Sequence, residues 1–297
     1  WNKVLYGDGH PYAMPPSGAG TTSSVKAITQ ADLVTFYKGN YVPNNAAIVM
    51  GGDITLADAQ TKLEKAFKNW KQGTVTAPSV AAPNAPEKTT IYLVDKPGAA
   101  QSMILVGHLG LLPTSPDRLT CAIFNSAFGG YGSSGRLYKN LREEKGYTYG
   151  AYANFAWRKH VGPFTASASV QTNVTKEAVA EFMKEIRELA STRPLSDDEL
   201  SFNKTNMIKQ FPQAFETMGD MVGGLYSLVS QGLPIDYWET YQSRISAVDA
   251  ATVQAAIQKY IHPDALAIVI VGDKATIESG LKELNLGDIV MIDPKTL

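Results

Sequence analysis

Apolar residues recur along the chain with two different periods, which predict helices and strands in alternation. A spacing of three and four residues predicts helices at 30–38, 56–70, 117–128, 176–190, 248–260 and 275–284. Continuous or alternating apolar runs predict strands at 46–50, 89–94, 102–108, 150–156, 162–171 and 266–271. The strands at 150–156 and 162–171 are close enough in sequence to pair antiparallel. We therefore predict an α+β fold with mixed or antiparallel sheets covered by helices.

One pattern occurs twice. Residues 43–53 align without gaps on residues 263–273, with identical residues at six of eleven positions, including the first Pro and the final Gly-Asp. Each segment is a predicted strand with a helix before it and another after it, and a continuous apolar strand is typical of a sheet covered by helices. A short apolar match arises by chance, but the shared flanks and element order indicate an internal repeat. We predict that residues 43–53 belong to the tail of one α+β domain and that a complete relative of that domain follows.

A segment rich in Pro and Ala separates the two copies. Residues 73–88 contain Pro78, Pro83 and Pro86 and almost no large apolar side chain. Prolines at this density keep the backbone extended and remove hydrogen-bond donors, which predicts a semi-rigid surface linker. The expected organisation is a domain segment at 1–72, the linker at 73–88 and a full-sized domain at 89–297.

Composition excludes several classes of protein. Charged residues make up 19% of the chain and the formal net charge is -1, so there is no basic excess of the kind that nucleic-acid binders carry. No apolar run approaches the roughly 20 residues of a membrane span. Cys121 is the single cysteine, and no two of the four histidines lie within five residues of each other. These counts argue against a disulfide framework and against a self-contained zinc motif of closely spaced ligands.

A glycine-rich segment follows the helix predicted at 117–128. Gly130 and Gly135 have the spacing of a phosphate-binding loop, but Arg136 and Leu137 replace the lysine and hydroxyl that such loops need, so we reject nucleotide binding. Two interpretations stay open: a flexible connection between helices, and a mobile lip beside a binding cleft. The second predicts that this segment binds substrate, through the residues Gly129, Gly130, Gly132 and Arg136.

A short helix and an aromatic strand come next. The pattern places Arg142 on a helix with Leu137 and Leu141 facing inward, and Tyr147 and Tyr149 at the start of the strand. From the pattern alone, the arginine is a surface ion-pair residue and the tyrosines pack in the sheet. Strand alternation puts Tyr147 and Tyr149 on the same face, so periodicity does not separate them.

The stretch from Arg136 to Tyr152 resembles the C-terminal signature of the pitrilysin/insulinase family of metallopeptidases, in the bacterial half-length branch related to mitochondrial processing peptidase. Four other segments, which follow one another in the order found in the family, agree with this resemblance: 5–18, 28–53, 195–200 and 232–237. The resemblance covers essentially the whole chain. It implies paired, homologous α+β domains that enclose a peptide-binding chamber. By this resemblance, 1–72 is the C-terminal part of a first pitrilysin-type domain and 89–297 is a second, inactive-type domain.

The resemblance also implies the chemistry. In the family, one domain holds zinc through H-x-x-E-H and a downstream Glu, and another supplies an Arg and a Tyr, seven residues apart, that hold the peptide. Arg142 and Tyr149 match that spacing, with Tyr147 as the alternative phenol. A guanidinium suits a peptide carbonyl or carboxylate, and a phenol suits a developing oxyanion. H-x-x-E-H is absent here and His10 is expected to pack, so we predict no metal site in this chain and zinc in the intact protein or a partner subunit.

Two functions follow from these observations. The first is the substrate-binding and oxyanion-stabilising portion of a zinc endopeptidase that acts on peptides, inactive alone and paired with a zinc-bearing domain or subunit, as a homo- or heterodimer. The alternative is a non-catalytic peptide-binding or scaffold homologue. The chain starts at Trp1 without an initiator methionine, and we interpret it as a fragment. Relatives lead us to expect a Gram-negative periplasm or cell envelope, while peptide specificity stays open.

Overall fold

A mixed sheet and the helices around it make up most of the molecule. The structure is a computed structural model that describes residues 1–15, 17–80, 83, 86–130 and 133–294. The strands are β1 Thr90–Asp95, β2 Gln101–Leu109, β3 Thr148–Phe155, β4 Pro163–Gln171, β5 Ala267–Gly272 and β6 Ile289–Ile292. The helices are α1 Asn2–Tyr6, α2 Thr22–Ala27, α3 Gln30–Asn40, α4 Leu56–Phe67, α5 Arg118–Gly129, α6 Arg136–Tyr138, α7 Thr175–Ala190, α8 Asp197–Gln210, α9 Met218–Gln231, α10 Tyr241–Ala247, α11 Ala250–Tyr260 and α12 Lys274–Glu283.

The six strands form one sheet in the order β3-β4-β2-β5-β1-β6. β1 runs parallel to β5 and β6, whereas β2 runs antiparallel to β4 and β5, and β3 runs antiparallel to β4. The sheet is therefore mixed, and the predicted α+β class is confirmed. The predicted antiparallel pair is also observed, as β3 and β4.

One face of the sheet carries the core. Helices α5 and α7 pack against it, and α11 packs on these two helices. β5 in the middle of the sheet is buried along almost its whole length, as its continuous apolar run predicts. The largest fully buried side chains of this core come from both layers: Phe124, Phe128, Phe164, Phe182, Ile91, Leu93, Ile104 and Ile186. Burial of each such side chain contributes about 1.5–3 kcal/mol.

The opposite face is partly covered by the beginning of the chain. Leu5 and Tyr6 of α1 pack on Ala267 of β5, and the indole Nε1 of Trp1 donates a hydrogen bond to Thr165 Oγ1 on β4 at 3.1 Å. The rest of this face, over β3, β4 and β2, carries exposed side chains such as Met103. The sheet therefore has a closed inner face and an outer face that is open on one side.

The first copy of the repeat differs from the second. Helices α3 and α4 form as predicted, but the strand predicted at 46–50 is wrong: these residues make no ladder, and Ile48 and Met50 are exposed. Its counterpart β5 lies between β1 and β2, which accept and donate its backbone hydrogen bonds. The described residues before Thr90 contain no strand that could do the same for 46–50. The predicted domain boundaries stay predictions, and residues 81, 82, 84 and 85 of the predicted linker lie outside the described residues.

In the parts of the chain that the structure describes, every helix is too short or too polar to cross a lipid bilayer.

Candidate functional site

Arg142 lies on a distorted helix. α6 continues into a π-helical turn at Lys139–Glu144, in which the amide of Lys145 donates to the Asn140 carbonyl at 3.0 Å. Such single π turns are rare and occur often at functional sites. The wider turn keeps Leu141 buried in the core while Arg142 is only half-buried. Gly146, with φ +68°, then ends the helix in the left-handed conformation that glycine tolerates best.

Tyr149 is placed by a bulge at the start of β3. Thr148 pairs with Val170 and Ala151 pairs with Ala168, so Tyr149 and Gly150 together oppose the single residue Ser169. The hydroxyl of Thr148 accepts a hydrogen bond from the Gly150 amide at 3.1 Å and donates towards the Ser169 carbonyl at 2.7 Å. An extra residue in one strand shifts the side chains before it to the opposite face. Tyr149 therefore projects from the outer face, whereas simple alternation would have placed it with buried Ala151.

Arg142 and Tyr149 come together. The guanidinium carbon of Arg142 lies 5.1 Å from the centroid of the Tyr149 ring, which is a cation–π contact. The Tyr149 side chain is 82% exposed. No carboxylate of the described residues lies within ion-pair distance of Arg142. The pair thus presents N–H donors and a phenol hydroxyl to solvent, beside one another.

Tyr147 is in a different environment. It is partly buried against the main core, and its amide donates to the Leu141 carbonyl at 2.9 Å in the turn before β3. The expectation that Tyr147 and Tyr149 share a face is therefore wrong, because Tyr147 lies in the turn before β3 and packs against the core. Of the two phenols, only that of Tyr149 lies on the outer face beside Arg142.

Arg136 has partners that its sequence position did not reveal. Its Nε and Nη2 donate to the two carboxylate oxygens of Glu199 at 2.7 and 2.6 Å, and its remaining donors reach the carbonyls of Arg193 and Pro194. The residue is 6% exposed. Burial by itself would raise the pKa of Glu199, but hydrogen bonds from Arg136 and the Ser196 amide outweigh it and lower that pKa to about 2. The structure does not support the substrate-binding role predicted for Arg136, because this guanidinium is sealed in an ion pair that anchors α6 to α8.

The glycines before Arg136 allow close packing. A Cβ on Gly129 would lie 2.5 Å from the Ala153 amide nitrogen, so this glycine lets the end of α5 touch the free edge of β3. Gly130 ends α5 and borders a groove of about 310 Å³ with Asn125 and Trp157. The nearest atoms to Gly129 and Gly130 do not belong to Arg142 or Tyr149. The predicted binding residue Gly132 lies outside the described residues. We therefore assign Gly129 a packing role.

His10, which the sequence analysis expects to pack, lies in an aromatic cluster. Its ring stacks on Tyr6 with centroids 4.8 Å apart, and its Nδ1 accepts a hydrogen bond from the Tyr12 amide at 3.0 Å. Within the described residues, no group of three or more His, Cys, Asp or Glu side chains is arranged to hold a metal ion. A zinc site therefore does not fit the described part of this chain.

Thr148 is the residue of this site that the sequence pattern did not reveal. It is buried, and it acts through the bulge that orients Tyr149. The available signal was a hydroxyl residue directly before the Tyr-Gly pair, since Ser and Thr side chains often bond to nearby backbone groups.

Comparisons with known proteins identify the family of the chain. Residues 27–207 match the family model described as the peptidase M16 inactive domain. Among proteins of known sequence, the chain is 26% identical over 188 residues to an uncharacterized zinc protease of Streptomyces coelicolor, covering 61% of this chain and 40% of that protein. It is 22% identical over 263 residues to the non-peptidase homolog YmxG of Helicobacter pylori, covering 86% of this chain and 58% of that protein.

Among solved structures, a peptidase M16 inactive domain from Pseudomonas fluorescens superposes with a TM-score of 0.82 at 26% identity, covering 91% of this chain and 63% of that chain. The chain thus spans between two fifths and two thirds of the length of these relatives.

Proposed function

The chain belongs to the peptidase M16 family, and from this premise we propose that it is the peptide-binding and oxyanion-stabilising portion of a zinc-dependent endopeptidase. The observation that supports this proposal is the exposed Arg142–Tyr149 pair, with 5.1 Å between guanidinium and ring. The proposed partner is a zinc-bearing domain or subunit, as the name of the zinc protease relative suggests.

Each member of the pair has a distinct role in this proposal. Arg142 holds a carbonyl or carboxylate of an extended peptide through its N–H groups. Tyr149 donates its phenol proton as a hydrogen bond to the oxygen on which negative charge develops. The cation–π contact holds the ring beside the guanidinium, so both donors reach one peptide together. The chain alone is proposed to bind peptide and not to hydrolyse it.

The test is peptide hydrolysis by the assembly of this chain with its zinc-bearing domain. Tyr149→Phe keeps the ring over Arg142 and removes only the hydroxyl. Loss of one oxyanion donor typically lowers kcat by about 100- to 1000-fold, and we expect that loss here. Tyr147→Phe is the matched control, because that ring packs against the core, and it is expected to keep its turnover.

Arg142→Ala is expected to weaken peptide binding as well as turnover. Circular dichroism melting would show that each variant still folds. If Arg142→Ala and Tyr149→Phe both keep full activity, the proposed clamp does not exist.

The second candidate function is a non-catalytic peptide-binding or scaffold subunit. It is favoured by the similarity to YmxG, which is named a non-peptidase homolog and matches over 86% of this chain. The two candidates are separated by assaying the complete gene product with added zinc. Hydrolysis supports the peptidase, whereas peptide binding that depends on Arg142 without any hydrolysis supports the scaffold.

A further inference from the structure

On the outer face of the sheet beside the Arg142–Tyr149 pair, a row of small side chains lies between two rows of larger ones. β4 lies between β3 and β2, and its outward residues there are small: Ser167 and Ser169. On one side, Ser169 is opposed by the Tyr149–Gly150 bulge and Ser167 by Tyr152. On the other side, Ser169 pairs with Met103, and Ser167 pairs with Leu105 on β2. Small side chains between two rows of large ones make a trough along β4.

The trough is one strand wide. Adjacent strands are about 4.8 Å apart, so the backbones of β3 and β2, which carry its two walls, lie roughly 10 Å apart. Tyr152 and Met103 are 41% and 40% exposed, and the Tyr152 hydroxyl end covers Gly150 next to Tyr149. The far end is bounded by Trp1, whose indole donates to Thr165 Oγ1. The trough therefore opens toward the Arg142–Tyr149 pair.

The trough is also uncharged. The strands β2, β3 and β4 contain no Asp, Glu, Lys or Arg. Its walls are the aromatic ring of Tyr152 and the thioether of Met103, whose sulfur lies 3.2 Å from the Ser169 hydroxyl. The charged residue in contact with Tyr149 is the cation Arg142. A lysine side chain placed in the trough would find no carboxylate there and a like charge at its rim, which is unfavourable.

We propose that this trough is a specificity subsite that receives one uncharged apolar side chain, of about leucine or methionine size, from the bound peptide. This inference rests on the proposed function, because the Arg142–Tyr149 pair fixes the peptide beside the trough. Tyr152 and Met103 provide the apolar contact, and the flexible thioether adapts to different chain shapes. The small side chains of Ser167 and Ser169 leave space above β4 for the peptide side chain.

Binding of peptides to this chain tests the proposal without requiring hydrolysis. Fluorescent peptides that differ by Leu or Lys at one position, scanned along the peptide, are compared by anisotropy. We expect one position at which the Leu peptide binds at least tenfold more tightly than the Lys peptide. Ser169→Asp, which adds a carboxylate to the floor, is expected to shift this ratio at least fivefold toward Lys. The isosteric neutral variant Ser169→Asn is the matched control and should keep the original ratio.

The outcomes separate the trough from the clamp. If Arg142→Ala abolishes binding while Ser169→Asp leaves the Leu-to-Lys ratio unchanged, the trough proposal is wrong and the clamp stands. If no position discriminates Leu from Lys, the trough is equally refuted. If the chain binds no peptide, the proposed function itself has failed. Should Ser169→Asp melt well below Ser169→Asn, Ser167→Asp is used in its place, with the same expected shift.

Discussion

The ion pair between Arg136 and Glu199 makes a specific prediction about folding stability. Arg136 is 6% exposed, and its donors reach two carboxylate oxygens and two backbone carbonyls at 2.5–2.7 Å. Arg136→Met keeps much of the buried volume and removes every one of these hydrogen bonds. The variant therefore isolates the polar contribution of the side chain at a site that is otherwise unchanged.

The expected loss can be worked out from the surroundings. Removing one partner of a buried ion pair typically costs about 3–5 kcal/mol, because the other charge is left unpaired. Glu199 is partly exposed and still accepts the hydrogen bond of the Ser196 amide at 2.9 Å, so solvent and that amide compensate in part. We therefore expect the lower end of the range, about 3 kcal/mol. Glu199→Gln keeps the shape and lowers the charge, and should cost less.

Urea unfolding followed by circular dichroism provides the measurement. Arg136→Met, Glu199→Gln and the double variant form a cycle, and we expect the double variant to lose less than the sum of the two. Arg142→Met is the matched control, since that arginine is half-buried without a carboxylate partner among the described residues, and it should cost under about 1 kcal/mol.

A different result would refute the structural role of Arg136. If the free energy of unfolding of Arg136→Met lies within about 0.5 kcal/mol of that of the parent chain and the variant loses peptide binding instead, the guanidinium contacts substrate. The original sequence prediction for Arg136 would then be correct.

Three further predictions concern a buried histidine, a close contact and the bulge. Burial and nearby His262 lower the pKa of His108 to about 4, despite the hydrogen bond between its ring and the Leu109 carbonyl. Because this histidine takes up a proton below about pH 6.5 in the unfolded chain, the free energy of unfolding should fall by up to about 3 kcal/mol between pH 6.5 and pH 4. His108→Gln should make that pH dependence less steep. Gly129→Ala should cost about 1–3 kcal/mol through its clash with β3. Thr148→Val should weaken peptide binding by releasing Tyr149, with little change in fold.

Each of these predictions has its own check. Unfolding free energies at several pH values test the histidine, and a His108→Gln curve as steep as the parent's would contradict it. Gly223→Ala is the control for Gly129→Ala, because its Cβ meets nothing within 4 Å and should stabilise α9 by about 0.5–1 kcal/mol. Thr148→Ser keeps the hydroxyl and should bind as the parent does. Equal peptide affinity of Thr148→Val and Thr148→Ser would show that the bulge does not position Tyr149.

Local pattern was sufficient for most of the second half of the chain. The 3.6-residue period of α7 and the continuous apolar run of β5 each involve neighbours within a few residues. Those contacts are set by the sequence itself, so the elements form where periodicity predicted them. The spacing of Arg142 and Tyr149 was likewise visible, through a family resemblance that the match to the peptidase M16 inactive domain confirms.

The tertiary structure decided the rest, because those features depend on partners far away in sequence. Arg136 is a structural residue since Glu199, 63 positions later, folds against it. Tyr149 reaches the outer face since Ser169 on the next strand opposes two residues at once. The strand predicted at 46–50 is not formed, since its apolar run specifies an extended shape, whereas a ladder needs neighbouring backbones to bond with. The type of a residue determines which interactions its side chain can make, and only the folded chain determines which partner lies close enough to make them.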